Sequence, residues 1–292
     1  MPRFRQVQGF RQGTGNKLRD STIREQRDRA YIDFFKAAES RRRWNVFNDV
    51  SWDQLDPSKA SEPTLLALEH TCSEEMYLPD YSSKIMRLFR GSFSRAWFWA
   101  NWSYEESEHS LALREYLLRS GHRSAAWMAA FEDSIFARQW EMPFTEIRQV
   151  SCYGALQETA TYLGYKILKE RAAEADDAVL GAIFDFIGRD EAAHAGFYRT
   201  LLGIDMEADR AGTIADMAFV IPRFKMPADG LVPGYAERLV ASGLSHNTRW
   251  YLEKVVMPTL KSVGTSWGEV RAVFRKPQHD RSSLPRDRSA AR

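Results

Sequence analysis

The 292-residue chain is 44% hydrophobic, 27% charged and 13% aromatic, an ordinary globular composition with room for one large domain or two small ones. Its net charge of +2 is unevenly placed: residues 1–30 hold eight Lys/Arg against three Asp/Glu and residues 270–292 seven against two, leaving an acidic body at −8. No uncharged apolar run approaches the roughly 18 residues of a membrane span, the start "MPRFRQVQGFRQG" lacks the apolar segment of a secretory signal, and an acidic body without a basic groove gives no support for a nucleic-acid partner.

Residues 1–23 read as a basic flexible arm, although an Arg-rich, acid-poor start also has the character of a transit peptide. Residues 24–269 read as one helical domain, and the Pro-, Ser- and Arg-rich residues 270–292 as a basic disordered tail. Strand-like alternation is scarce. An amphipathic helix is predicted over 24–44, followed by the loop "SWDQLDPSKASEP". The next helix starts near Pro63, a residue suited to a first turn, and carries Leu65, Leu68, Cys72 and Glu75. Another covers 92–119 and stops at Gly121, a C-terminal cap residue. Long helices follow over 144–172 and 177–202, the latter ending at Gly203, with shorter ones over 206–220, 233–242 and 245–262. The expected class is all-α: a ferritin-like four-helix bundle with additional flanking helices. Cys72 and Cys152 make no disulfide framework and no metal-binding pair, and both fall on apolar faces. They suit a reducing cytosol, and a cytoplasmic location is expected.

Two Glu-x-x-His pairs carry the chemistry: Glu106 with His109, and Glu191 with His194. Residues three apart share a helix face, so each pair presents a carboxylate and an imidazole to one point. One such pair alone is weak. These two project from stripes that should face the core: Trp102, Leu113 and Tyr116 around His109, and Leu180, Ile187, Tyr198 and Leu201 around His194. Burying an unpaired carboxylate costs several kcal/mol, roughly, so a cluster of this kind asks for a cation. A lone glutamate precedes each pair on an apolar helix, Glu75 by 31 residues and Glu158 by 33. A helix with one Glu followed by a helix with Glu-x-x-His, repeated, is the arrangement that binds two metal ions in ferritin-like carboxylate proteins. Four carboxylates and two imidazoles suit two iron or manganese ions.

The repeat also sorts the acids in "WSYEESEHS". Geometry alone admits both Glu105 and Glu106 beside His109. The second copy, "RDEAAH", has acids at the same two places, Asp190 and Glu191. Glu106 and Glu191 are therefore read as ligands, and Glu105 and Asp190 as acceptors that orient an imidazole through its other N–H. Across a pseudo-twofold bundle each acceptor should serve the histidine of the opposite helix. Glu108 matches Ala193, points about a hundred degrees away and is expected in solvent. His70 lies off the Glu75 face and is expected to be a surface or core histidine rather than a ligand.

These motifs resemble the soluble acyl-carrier-protein desaturases of plants and actinobacteria. "WSYEESEHSLALREYLLRSG", "EEMYLPDY", "QETAT", "DEAAH" and "KMPADG" are similar to that family's ligand helices and a later Met-Pro-Ala, over roughly residues 60–235. The resemblance implies a di-iron centre that uses O2 and two electrons from a ferredoxin-like donor. It would introduce a cis double bond into an acyl chain held as a thioester on an acyl carrier protein. It implies a homodimer, a role for Thr161 in proton delivery on the oxygen-binding side, and an electron route through a tryptophan such as Trp52.

The chain departs from the plant pattern. Basic residues that the plant enzymes carry in or beside both motifs are replaced here by Glu108 and Ala193, and the interval from Glu75 to Glu106 is shorter. Arg41–Arg43 and the tails offer other basic surface for an acidic carrier. Three further readings share the ligand set. A radical-storing reductase subunit would want a tyrosine where Leu113 stands, with Tyr162 and Tyr198 as nearby substitutes. A hydroxylase or N-oxygenase would act on a tethered natural-product intermediate. A ferritin-type iron-binding protein would assemble as a cage rather than a dimer.

Overall fold

The structure is a computed structural model that describes residues 14–227, 231–232, 235–241, 243–244 and 247–275. Helices account for its regular structure, with no strand among the described residues. Four helices form the central bundle: α2 (Glu62–Glu75), α4 (Phe93–Arg119), α6 (Ile147–Glu174) and α7 (Ala178–Ala208). α1 (Thr14–Arg41) lies along α4 and α7, α3 (Leu78–Phe89) packs on α4, and α5 (Ala125–Phe136) follows α4. α8 (Arg210–Val220) closes on α6, and the short helices α9 (Tyr235–Ala241), α10 (Thr248–Tyr251), α11 (Met257–Ser262) and α12 (Trp267–Arg275) complete the chain.

α1 begins at Thr14, so residues 14–23 are helical rather than part of a flexible arm. Ile23, Arg27, Tyr31, Phe34 and Ala38 recur at helical spacing and turn inward, which gives the helix a packing face. Arg27 and Arg95 both pair with Asp205 on α7, and Asp28 Oδ1 accepts from the Ser94 N–H at 3.2 Å, satisfying a free donor at the start of α4. α12 likewise runs to Arg275, inside the stretch expected as tail. The rest of the expected arm and tail, residues 1–13 and 276–292, lies outside the described residues.

α4 ends where expected, with Gly121 at φ 73° and the Arg123 N–H reaching back to the Leu117 carbonyl at 3.1 Å. α7 does not stop at Gly203 but continues to Ala208, because Asp205 and Met206 of that extra turn are buried. α6 and α7 are joined by a tight turn in which Asp176 takes φ 56° and the Asp177 side chain caps the Leu180 N–H at 2.9 Å. They approach closely at Gly154, where a Cβ would sit 2.6 Å from the Tyr198 ring. Between α10 and α11 the helical ladder widens into a π-turn over Leu252–Val256. Pro258 explains it, since proline has no N–H to give the carbonyl one turn earlier. α3, α5 and α12 lie outside the helices predicted from periodicity. α3 opens on Leu78-Pro79, a pair that reads as a break but serves as a first turn.

Candidate metal centre

Each core helix brings polar residues to one buried point, from mid-helix on α4, α6 and α7 and from the last residue of α2. α2 supplies Glu75, α4 Glu106 and His109, α6 Glu158, and α7 Glu191 and His194. None is more than 6% exposed. Their ligand atoms form two overlapping sets: Glu75, Glu106, His109 and Glu191, and Glu106, Glu158, Glu191 and His194. Within each set the atoms lie inside 4.8 Å of one another, and Glu106 and Glu191 belong to both.

The imidazoles are oriented alike. Each turns Nδ1 to the centre: His109 Nδ1 is 3.4 Å from Glu191 and 3.7 Å from Glu106, and His194 Nδ1 is 3.3 Å from Glu106 and 3.7 Å from Glu158. Each turns Nε2 outward to a carboxylate on the opposite helix, His194 to Glu105 at 2.7 Å and His109 to Asp190 at 3.3 Å. Those acceptors are themselves held. Arg42 bridges Asp190 and Glu105, Arg43 Nη1 donates to Glu105 at 2.7 Å, and Trp44 Nε1 donates to Asp190 at 2.8 Å. The terminal carboxylates each have one oxygen fixed from outside: Tyr165 Oη donates to Glu75 at 2.6 Å, and Trp102 Nε1 to Glu158 at 2.9 Å.

The remaining atoms test whether a metal fits. Glu106 Oε1, Glu158 Oε2, both oxygens of Glu191, and Nδ1 of both histidines are buried without a hydrogen-bond partner. Buried polar atoms are ordinarily satisfied, so a convergent group of this kind marks a place for a cation. The electrostatics of the cluster agree. Burial, then the neighbouring Glu106, pushes Glu75 well above the usual carboxyl range, and burial with Glu191 does the same to Glu158. Burial also pushes up on Glu106 and Glu191, but the two imidazoles outweigh it and hold both low. Burial works against the charged form of each histidine, yet the surrounding carboxylates hold His109 and His194 well above the ordinary value. The protein alone thus balances its charges with protons that a divalent cation would displace. The donor set of oxygens and imidazole nitrogens fits two first-row transition ions.

The other residues singled out by sequence fall differently. Thr161, one turn beyond Glu158, spends its hydroxyl on the Gln157 carbonyl at 3.1 Å and faces a cavity. Trp52 does not reach the cluster: its indole donates to the Val46 carbonyl at 2.7 Å and lies under Arg119. Trp44 occupies the contact instead, stacked on Phe186 at 5.0 Å. Glu108 is buried rather than in solvent, accepts from Tyr104 at 3.2 Å, and is pushed up to about 7 by burial. Arg42 and Arg43 are committed to Asp190 and Glu105, so they are not free basic surface. His70 is a core residue against the Tyr235 ring, lowered to about 4 by burial. Leu113 and Tyr198 are buried, Tyr162 is exposed, and both cysteines are buried and unbridged. Tyr165 carries a readable signal, seven residues and two turns beyond Glu158 on the same helix; Trp44 carries none.

A cavity of about 870 Å³ adjoins the cluster between α2, α6 and the C-terminal helices. Thr161, Gly164 and Tyr165 line it from α6, and Phe224, Trp250 and Tyr251 stand among its other walls.

With this geometry in place, the family model described as fatty acid desaturase matches residues 42–245, well over half of the chain. The chain belongs to the fatty acid desaturase family. A curated relative in Mycobacterium tuberculosis, named "Putative acyl-(acyl-carrier-protein) desaturase DesA1", is 26% identical over 222 residues, 72% of this chain. The match spans 64% of that relative's length, just under two thirds. Among solved structures, one described as a putative acyl-ACP desaturase, DesA2 of Mycobacterium tuberculosis H37Rv, superposes with a TM-score of 0.61. It shares 19% identity, over 86% of this chain and 99% of that one. An R2-like ligand-binding oxidase of Sulfolobus acidocaldarius gives a TM-score of 0.53 at 12% identity, over 84% and 90% of the two chains. At these identities the two structures speak for the fold, which is the ferritin-like bundle of this desaturase family. No helix among the described residues is long and apolar enough to cross a membrane.

Proposed function

We propose that Glu75, Glu106, His109, Glu158, Glu191 and His194 hold two iron ions, and that the protein desaturates an acyl chain carried as a thioester on an acyl carrier protein. The observation that carries this reading is the convergence of six orphaned buried atoms from α4, α6 and α7, completed by Glu75 from α2, in a chain of this family. When bound, the iron pair supplies O2 reduction and the power to take hydrogen from an unactivated C–H bond, with electrons from a ferredoxin-like donor.

The chain's own residues set the terms. Glu106 and Glu191 belong to both ligand sets and would serve both ions, while Glu75 and Glu158 would each serve one. Asp190 and Glu105 fix the imidazole orientations and keep Nδ1 available to the metal. Tyr165 and Trp102 occupy one oxygen of Glu75 and Glu158, turning the other inward. Phe98, stacked on Phe197 at 3.9 Å, and Trp102, stacked on Trp99 at 4.3 Å, exclude water from the α4 side. The hydrogen-bonded chain Trp44–Asp190–His109 is the electron route we assign in place of Trp52. The cavity on the α6 side receives the acyl chain and passes it over Thr161 and Tyr165.

The test is turnover with reduced ferredoxin, O2 and acyl carrier proteins bearing chains of several lengths, followed by mass analysis. Loss of two hydrogens is expected. Gain of one oxygen would assign the protein to hydroxylation or N-oxygenation on the same centre, and no O2-dependent product on any carrier would count against an acyl substrate.

A further inference from the structure

Gly164 sits inside the 28-residue α6, between Thr161 and Tyr165, and all three line the cavity. Glycine in a helix interior is less stable than alanine, because it surrenders more backbone entropy and offers no side-chain contact. Some glycines here repay that by admitting a neighbour. A Cβ at Gly154 would collide with Tyr198, and one at Gly212 with the Asp209 carboxylate. Others, Gly121 and Gly264 among them, take the positive φ that favours glycine. Gly164 does neither. Its φ is not positive, and a Cβ there would meet nothing within 4 Å. Gly196 and Gly203 of α7 also have open space around them, but neither lines the cavity. What a side chain at 164 would fill is the cavity itself, beside the residue that binds Glu75. The facing walls are broad: Phe224 and Tyr251 stack at 4.9 Å with an interplanar angle of 17°, and Trp250 and Trp267 stand with them.

We infer that Gly164 is a specificity-determining residue. By withholding a side chain beside the cluster, it admits an acyl group wider there than a straight polymethylene chain, one that is branched or aryl-substituted. The inference rests on the cavity being the acyl site. It is tested by calorimetric binding of N-acetylcysteamine thioesters with straight, methyl-branched and phenyl-substituted acyl chains to wild type, Gly164→Ala and Gly164→Leu. Metal content and thermal midpoint are measured on the same samples. The wild type should bind the wide probes at least as tightly as the straight one. Gly164→Leu should weaken the wide probes about tenfold or more and the straight probe much less. Gly164→Ala should fall between the two, with its midpoint unchanged or raised. Equal losses across the series, no loss at all, or a wild type that binds none of the probes would overturn the assignment. A wild type that binds selectively yet takes up no metal would sink the di-iron reading and leave this one standing.

Discussion

On the flank where α1 ends, the groups facing away from the metal positions meet charged or indole partners: Arg42 on Asp190 and Glu105, Arg43 on Glu105, Trp44 on Asp190. On the opposite flank α6 turns Thr161, Gly164 and Tyr165 to a cavity, and the contact from that wall to the cluster is the Tyr165 phenol. One side is a rigid charged scaffold that sets the histidines. The other is sparsely bonded and leaves space. Under the proposed function the division separates two tasks, holding the ligands and admitting a substrate, so variants on the two flanks should fail in different measurements.

The largest effect is expected where the flanks meet. Glu106→Ala or Glu191→Ala removes a carboxylate that belongs to both metal sets, so metal analysis should show loss of both ions rather than one. Next comes the charged flank. Arg42→Ala leaves Asp190 and Glu105 buried with less compensation, and loss of one partner of a buried pair costs about 3–5 kcal/mol. Its thermal or denaturant midpoint should fall clearly below that of Arg41→Ala, which removes an exposed side chain. On the cavity flank, Tyr165→Phe removes the bond to Glu75 and keeps the ring. It should lower metal affinity about 10–100-fold, read by Co2+ titration, with little change in midpoint. A Tyr165→Phe protein that binds Co2+ like wild type would remove the distinction between the flanks.

The pH dependence of metal binding follows from the histidines. The carboxylates raise His109 and His194 above their ordinary value. A ligand nitrogen must lose its proton to bind, so affinity should climb with pH through neutrality, with proton release visible in a weakly buffered titration. Affinity that is flat across that range would contradict the assigned protonation. The smallest effect separates two tryptophans: Trp52→Phe should leave ferredoxin-driven turnover unchanged, while Trp44→Phe should slow it at constant metal content.

The parts of this centre legible in the sequence are those with local periodicity. Glu106–His109 and Glu191–His194 are three-residue spacings, and comparison of the two copies separates Glu106, which turns to the cluster, from Glu105, which turns to an imidazole. The crossed pairing of Glu105 with His194 and Asp190 with His109 also followed from the repeat, because a pseudo-twofold bundle brings those helices face to face. Contacts from outside the repeat were not legible. Arg42 and Trp44 reach Asp190 across about 150 residues, and nothing in "SRRRW" distinguishes buried guanidinium groups from solvated ones. Helix wheels also misplaced Glu108, since a position turned from the cluster can still be covered by a neighbour. Of the fold, the long helices were readable from apolar spacing. The start of α1 was not, because its charged outer face outweighs the sparse inward row from Ile23 to Ala38.

Metal content tests the proposed di-iron centre most directly. Protein purified from iron-replete cells should contain close to two iron ions per chain, one for each ligand set. Iron-free protein that also refuses Fe2+ and Co2+ on reconstitution would contradict it.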